Sequence, residues 1–99
     1  MAKTTPIRIL FVEDNKTDAF VFEKLVKKIK GPRNYILKIA STYDEALKVM
    51  TSEHYDVYFV DFMLDRDTGP DLIEEARAKG CTGPFVVLTH HDKFEYYQD

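Results

Sequence analysis

Two rhythms of apolar residues alternate along this chain, one of short continuous runs and one at helical spacing. Ile7 to Val12 (IRILFV) is short, rich in β-formers and almost wholly apolar, which predicts a strand covered on both faces. Glu13, Asp14 and Asn15 follow. Asn15 or Thr17 can then cap a helix, with Phe22, Leu25, Val26 and Ile29 at i, i+3, i+4 and i+7, and Gly31-Pro32 stops it. Tyr35 to Ala40 predicts a second strand, and Lys38 with the neighbouring Asn34 suits it to an exposed edge. Thr42-Tyr43-Asp44-Glu45 has the form of a capping box and opens a second helix striped by Ala46, Val49 and Met50. Asp56 to Phe62 is the most apolar strand, yet it carries Asp61 at its end. Gly69-Pro70-Asp71 leads into a third helix with Leu72, Ile73 and Ala76 facing inward and Gly80 as its stop. Pro84 to Leu88 predicts a fourth strand, followed by Thr89-His90-His91-Asp92. The final KFEYYQD fits the start of a helix as well as it fits an edge strand.

Strands alternating with helices predict an α/β fold, a doubly wound parallel sheet with right-handed crossovers. Ninety-nine residues, 44% hydrophobic and 31% charged, suit one domain spanning 1–99. The formal net charge of -3 with interspersed signs offers no basic field for nucleic acid. The basic run from Lys24 to Lys30 is interleaved with Leu25, Val26 and Ile29, as on a solvated helix face. A single cysteine, Cys81, fits a reducing compartment. No apolar run approaches the roughly 20 residues of a membrane span, and MAKTTP lacks a signal-peptide core, so a cytoplasmic protein is expected.

Ligands of such sheets bind beyond the carboxyl ends of the strands, where strand order reverses. With strand order 2-1-3-4, Glu13, Asp14, Asp61 and Thr89 all fall on one rim. Taken singly, Asp61 reads as a turn cap, and Glu13-Asp14 as acids complementing a helix dipole. Together they form a pocket of three carboxylates and a hydroxyl. Clustered acids repel one another unless a cation relieves them. An oxygen-only donor set favours a hard ion such as Mg²⁺. An aspartate beside that ion can act as a nucleophile toward phosphorus, with a hydroxyl such as Thr89 binding a phosphoryl oxygen.

The order LFVEDN (10–15), YDVYFVDFML (55–64), Gly69 and FVVLTHHD (85–92) resembles the receiver domain of bacterial two-component response regulators. The resemblance implies a flavodoxin-like receiver fold. It further implies that Glu13 and Asp14 hold Mg²⁺, that Asp61 is the phosphoacceptor, that the Met63 carbonyl is a further metal ligand and that Thr89 swings toward the phosphoryl group. A histidine kinase or phosphotransfer protein is the implied partner. Three departures stand out: Asp65 where the family usually has proline, His90 where it usually has a small residue, and an end at Asp99. The last predicts a receiver lacking the fifth strand and fifth helix, truncated in the region of the fourth helix. The family's lysine would be absent with them, so phosphorylation is expected to be slow.

Two alternatives accompany this reading. Asp65-Arg66-Asp67-Thr68 matches the aspartate-based phosphatase pattern DxDxT, although Asp61 already occupies the strand end where that loop should begin. A receiver fragment acting only as an interaction module is the other. An open fourth-strand edge predicts a homodimer, formed through that edge or through the tail bearing Phe94, Tyr96 and Tyr97. His90-His91-Asp92 is read as a polar loop, since no spaced histidine or cysteine completes a zinc set.

Overall fold

The computed structural model describes residues 5–29, 31 and 34–89. Strands and helices alternate without exception: β1 (Ile7–Val12), α1 (Lys16–Lys27), β2 (Tyr35–Ala40), α2 (Tyr43–Ser52), β3 (Val57–Asp61), α3 (Gly69–Ala78) and β4 (Phe85–Leu88). The strands form one parallel sheet in the order β2-β1-β3-β4. The expected α/β fold and strand order are therefore present. The tail from His90 onward, with Phe94, Tyr96 and Tyr97, lies outside the described residues.

Each predicted element forms, and its local chemistry sets its limits. Asn15 rather than Thr17 caps α1, its side chain accepting the Asp18 N–H at 2.9 Å. The helix stops at Lys27, before Gly31, because the Lys28 N–H closes a tighter turn on the Leu25 and Val26 carbonyls. Ile29 thus lies beyond the helix. The capping box expected at α2 is half realised. Thr42 Oγ1 accepts the Glu45 N–H at 3.1 Å, but the Glu45 carboxylate reaches back to the Ser41 N–H instead (3.0 Å). A complete box stands at α3, where Thr68 and Asp71 satisfy each other's backbone and Pro70 occupies the first turn. Pro84 falls outside β4 but still serves the sheet, its carbonyl accepting the Tyr58 N–H at 3.0 Å.

The sheet's two faces are covered unequally. Leu10, Val12, Tyr58 and Val60 pack with Tyr43, Ala46, Val49 and Met50 of α2 and Leu72, Ile73 and Ala76 of α3. Leu10, Val12, Val60 and Leu72 are wholly inaccessible to solvent. On the other face α1 is the one covering helix among the described residues. Phe22 packs its ring against Phe11 (4.1 Å between centroids) and Phe59 (5.2 Å), and Val26 is buried. Leu25 and Ile29 of the predicted stripe remain 58% and 49% exposed. They border a wholly apolar cleft of about 310 Å³, whose floor is Ile7, Ile9, Val57 and Phe59.

At the opposite end of the sheet from the acidic rim, Arg8 staples β1 to the turn before β3. It donates to the His54 carbonyl (3.0 Å), lies over the Tyr55 ring (4.8 Å) and pairs with Glu53 (3.7 Å). Tyr55 donates its hydroxyl to Glu53, and Tyr58 accepts the Tyr55 N–H at 3.1 Å.

Burial pushes the phenols of Tyr43, Tyr55 and Tyr58 up to about 12. Bonds to Glu75, Glu53 and Cys81 respectively reinforce the shift. Folding then favours the neutral phenols, so their contribution is intact below the ordinary tyrosine value of 10.0 and is lost as pH rises from there toward 12. Urea unfolding should give a stability that falls across that interval. Glu75→Gln should lower the pH at which Tyr43 ionises, as read by ultraviolet titration.

Candidate metal centre

Register brings the predicted rim together. Val12 stands opposite Val60, so Glu13, the next residue past β1, comes level with Asp61. Asp61 in turn pairs with Leu88, one residue before Thr89. The Glu13 N–H continues the ladder to Ala40 (3.0 Å), and the Phe62 N–H continues it to Leu88 (2.8 Å). The chain therefore leaves three adjacent strands at one height.

Glu13, Asp14 and Asp61 each place a carboxylate oxygen within 4.8 Å of the others. Glu13 and Asp61 are 3% and 2% exposed, and they are the two buried charged residues among those described. Asp14 is exposed and gives the cluster an open side. The Glu13 carboxylate is held in place by accepting the Asn15 N–H at 3.1 Å. Thr89 lines a cleft of about 240 Å³ together with Glu13, Asp18, Val21 and Phe22, so it belongs to the same rim. Met63 directs an exposed side chain outward from the loop that follows Asp61. Among the described residues this is the one grouping of three metal-capable side chains, and His54 sits elsewhere, beside Asp56 (3.9 Å).

This donor set fits a hard divalent cation. All of its ligands are oxygens, two come from a buried edge, and the third faces solvent, leaving room for water or phosphate oxygens. Burying two carboxylates side by side is expensive without a compensating positive charge, at several kcal/mol per ion. The acidic cluster can bind a metal ion of that kind.

The loop leaving Asp61 is a small closed hairpin. The Gly69 N–H returns to the Phe62 carbonyl (2.7 Å), Met63 bridges Thr68, and Asp67 takes a positive φ of 54° at the turn. Gly69 is required there. A Cβ on it would strike the Asp61 carbonyl oxygen and sit 3.0 Å from Val60 Cγ1. The hairpin's tip is fastened to α2. Asp65 Oδ1 accepts the Tyr43 N–H at 2.8 Å, a charged bond at a helix start contributing about 0.3–1 kcal/mol at an exposed carboxylate. Arg66 spans Asp44 (2.7 Å) and Asp67 (3.1 Å) and lies 4.4 Å above the Tyr43 ring. Tyr43 donates its hydroxyl to Glu75 of α3 at 2.7 Å.

These contacts were not foreseen, and they account for the DxDxT pattern. Asp65 bonds the α2 start, Asp67 pairs with Arg66, and Thr68 caps α3. The Thr68-x-x-Asp71 spacing carries the local signal for the last of these. The Asp65 bond joins residues 22 apart and leaves no local signal.

The chain belongs to the response regulator receiver domain family, whose profile matches residues 9–99. It is 31% identical over 87 residues to the response regulator MprA of Mycolicibacterium vanbaalenii, covering 88% of this chain and 36% of that protein. It thus spans about a third of that relative's length. Among solved structures, a CheY-like receiver domain from Methylobacillus flagellatus superposes with a TM-score of 0.75 at 24% identity, covering 90% of this chain and 74% of the other. The MaeR response regulator bound to beryllium trifluoride gives a TM-score of 0.73 at 23% identity, with coverages of 87% and 69%. Receiver domains are signalling domains of two-component systems.

Gly69→Ala should destabilise the fold by about 1–3 kcal/mol through overpacking against the Asp61 carbonyl. Gly31→Ala is the control, since no atom lies within 4 Å of its Cβ position. Equal urea midpoints for the two variants would contradict the packing described.

Proposed function

We propose that this chain accepts a phosphoryl group on Asp61 with the help of Mg²⁺, and that the acyl phosphate switches its partners. The observation that carries this reading is the trio of carboxylates within 4.8 Å at the carboxyl edge of the sheet, with Asp61 buried at the end of β3. Glu13, Asp14, Asp61 and the Met63 carbonyl are the residues that would hold Mg²⁺. When bound, the ion supplies charge compensation for the phosphoryl oxygens. An Asp61 carboxylate oxygen attacks the phosphorus of a phosphohistidine donor. The new O–P bond forms as the P–N bond breaks, and the electron pair returns to the imidazole nitrogen, which takes up a proton. Thr89, on the same rim, donates its hydroxyl to a phosphoryl oxygen. The donor is a histidine kinase or a phosphotransfer protein, the partners of receiver domains, and cytoplasmic residence follows from such a donor.

Incubation with Mg²⁺ and a small phosphodonor should add one phosphoryl group, read by mass spectrometry. Asp61→Asn should abolish the addition, and Thr89→Ala should slow it by about 10²-fold. Labelling that persists in Asp61→Asn would overturn the assignment. Beryllium trifluoride, which the MaeR neighbour binds, provides a second probe on unlabelled protein.

The incompletely covered α1 side supports a homodimer as the form in which the chain works. Val86 and Val87 on β4 are 38% and 39% exposed, and the cleft beside α1 is wholly apolar. Exposed apolar surface at a strand edge favours pairing with a second copy. Light scattering at micromolar concentration should give about twice the 11.5 kDa chain mass, and Val86→Lys should return the chain mass. A wild-type monomer refutes the dimer.

A further inference from the structure

The hairpin from Phe62 to Thr68 is held at its base and its tip, with Leu64 between them seated in the core at 9% exposure. Its base is Asp61 and the Gly69–Phe62 bond; its tip is Asp65 and Arg66 against α2. Between them lies Met63, whose backbone takes part in the bridge to Thr68. Inside the hairpin, the Leu64 N–H reaches the Asp67 carbonyl at only 3.4 Å, a weak bond. The tip attachment therefore adds an orienting contact to α2 that the hairpin's own bonds do not supply.

That attachment has a specific form. The Tyr43 N–H is one of the donors at a helix start that no intrahelical carbonyl can reach. Asp65 satisfies it from 22 residues away, and the Tyr43 ring itself is 2% exposed and fixed by its hydroxyl to Glu75. The loop is thereby referenced to the packed body of α2 and α3. Mg²⁺ demands near-ideal octahedral geometry and tolerates small displacements of a ligand poorly.

We propose that Asp65 is the positioning residue of the metal loop. By accepting the Tyr43 N–H it locks the hairpin that carries Met63, so that Mg²⁺ affinity at the rim and protection of the Tyr43 amide rise and fall together. The inference rests on the Mg²⁺ reading above and adds a residue that touches neither ion nor phosphoryl group.

The coupling is reciprocal, as linkage requires. In the wild-type chain, saturating Mg²⁺ should slow hydrogen exchange of the Tyr43 amide. Asp65→Ala should weaken Mg²⁺ binding by about tenfold, the usual effect of removing a group that orients a metal ligand. It should also abolish the Mg²⁺-dependent protection of Tyr43. Asp65→Asn retains an acceptor oxygen without the charge and should restore most of the affinity. If Asp65→Asn binds Mg²⁺ as poorly as Asp65→Ala, the effect is long-range charge and the positioning role is wrong. If Asp65→Ala fails to fold, the wild-type exchange measurement decides: no Mg²⁺-dependent change at Tyr43 overturns the proposal. Asp61→Asn separates the two levels. A normal Mg²⁺ titration in that variant defeats the metal site itself. A weakened one beside a normal titration for Asp65→Ala defeats only the role of Asp65.

Discussion

Two carboxylates, Glu13 and Asp61, lie side by side at the edge of an apolar sheet with 3% and 2% of their surface exposed. That juxtaposition constrains everything around it. Repulsion between buried like charges destabilises the fold unless a cation or hydrogen-bond donors compensate it. The sheet supplies the rigidity that keeps the carboxylates together anyway, through parallel ladders joining β1 to β3 and β3 to β4 in fixed register. The Asn15 N–H on Glu13 relieves part of the charge, and Asp14 leaves the cluster open to solvent on one side. The rim is thus an electrostatic site that could bind a metal ion.

The support for that site is asymmetric. Beneath it, α2 and α3 pack a continuous core against one sheet face, and the Tyr43–Glu75, Asp65–Tyr43 and Arg66–Asp44 contacts tie the loop after β3 into this core. On the α1 side the sheet meets a single helix among the described residues, and the Phe11–Phe22–Phe59 stack covers its middle. A packed core on one face contrasts with exposed apolar surface on the other, and α1 residues share one cleft with Glu13 and Thr89.

Much of this was legible in the sequence, for reasons that differ by element. Strand and helix order followed from the change between continuous apolar runs and helical spacing, and all seven elements formed. The rim followed because β–α alternation fixes which strand ends meet, so residues 13, 14, 61 and 89 needed no long-range information beyond topology. Helix ends were less legible. Gly31 was the obvious stop for α1, yet the chain turned three residues earlier on the Lys28 N–H. Glu45 had the right spacing for a capping box, yet its carboxylate chose the Ser41 N–H. Such choices depend on a few tenths of an ångström. Asp65 was visible only as an odd residue where a proline was expected. Its bond to Tyr43 depends on how a loop and a helix face each other in three dimensions, and no period in the sequence encodes that.

The proposed Mg²⁺ site is the carboxyl edge of this sheet, where Glu13 and Asp61 are buried and Asp14 is open to solvent. Diffraction from crystals soaked in Mn²⁺, a hard divalent stand-in that scatters anomalously, tests it most directly. One strong anomalous peak is expected among the carboxylates of Glu13, Asp14 and Asp61, with the Met63 carbonyl within ligand distance, roughly 2.0–2.3 Å. A rim without a peak at saturating Mn²⁺, or a peak bound only by acids elsewhere on the surface, would contradict it.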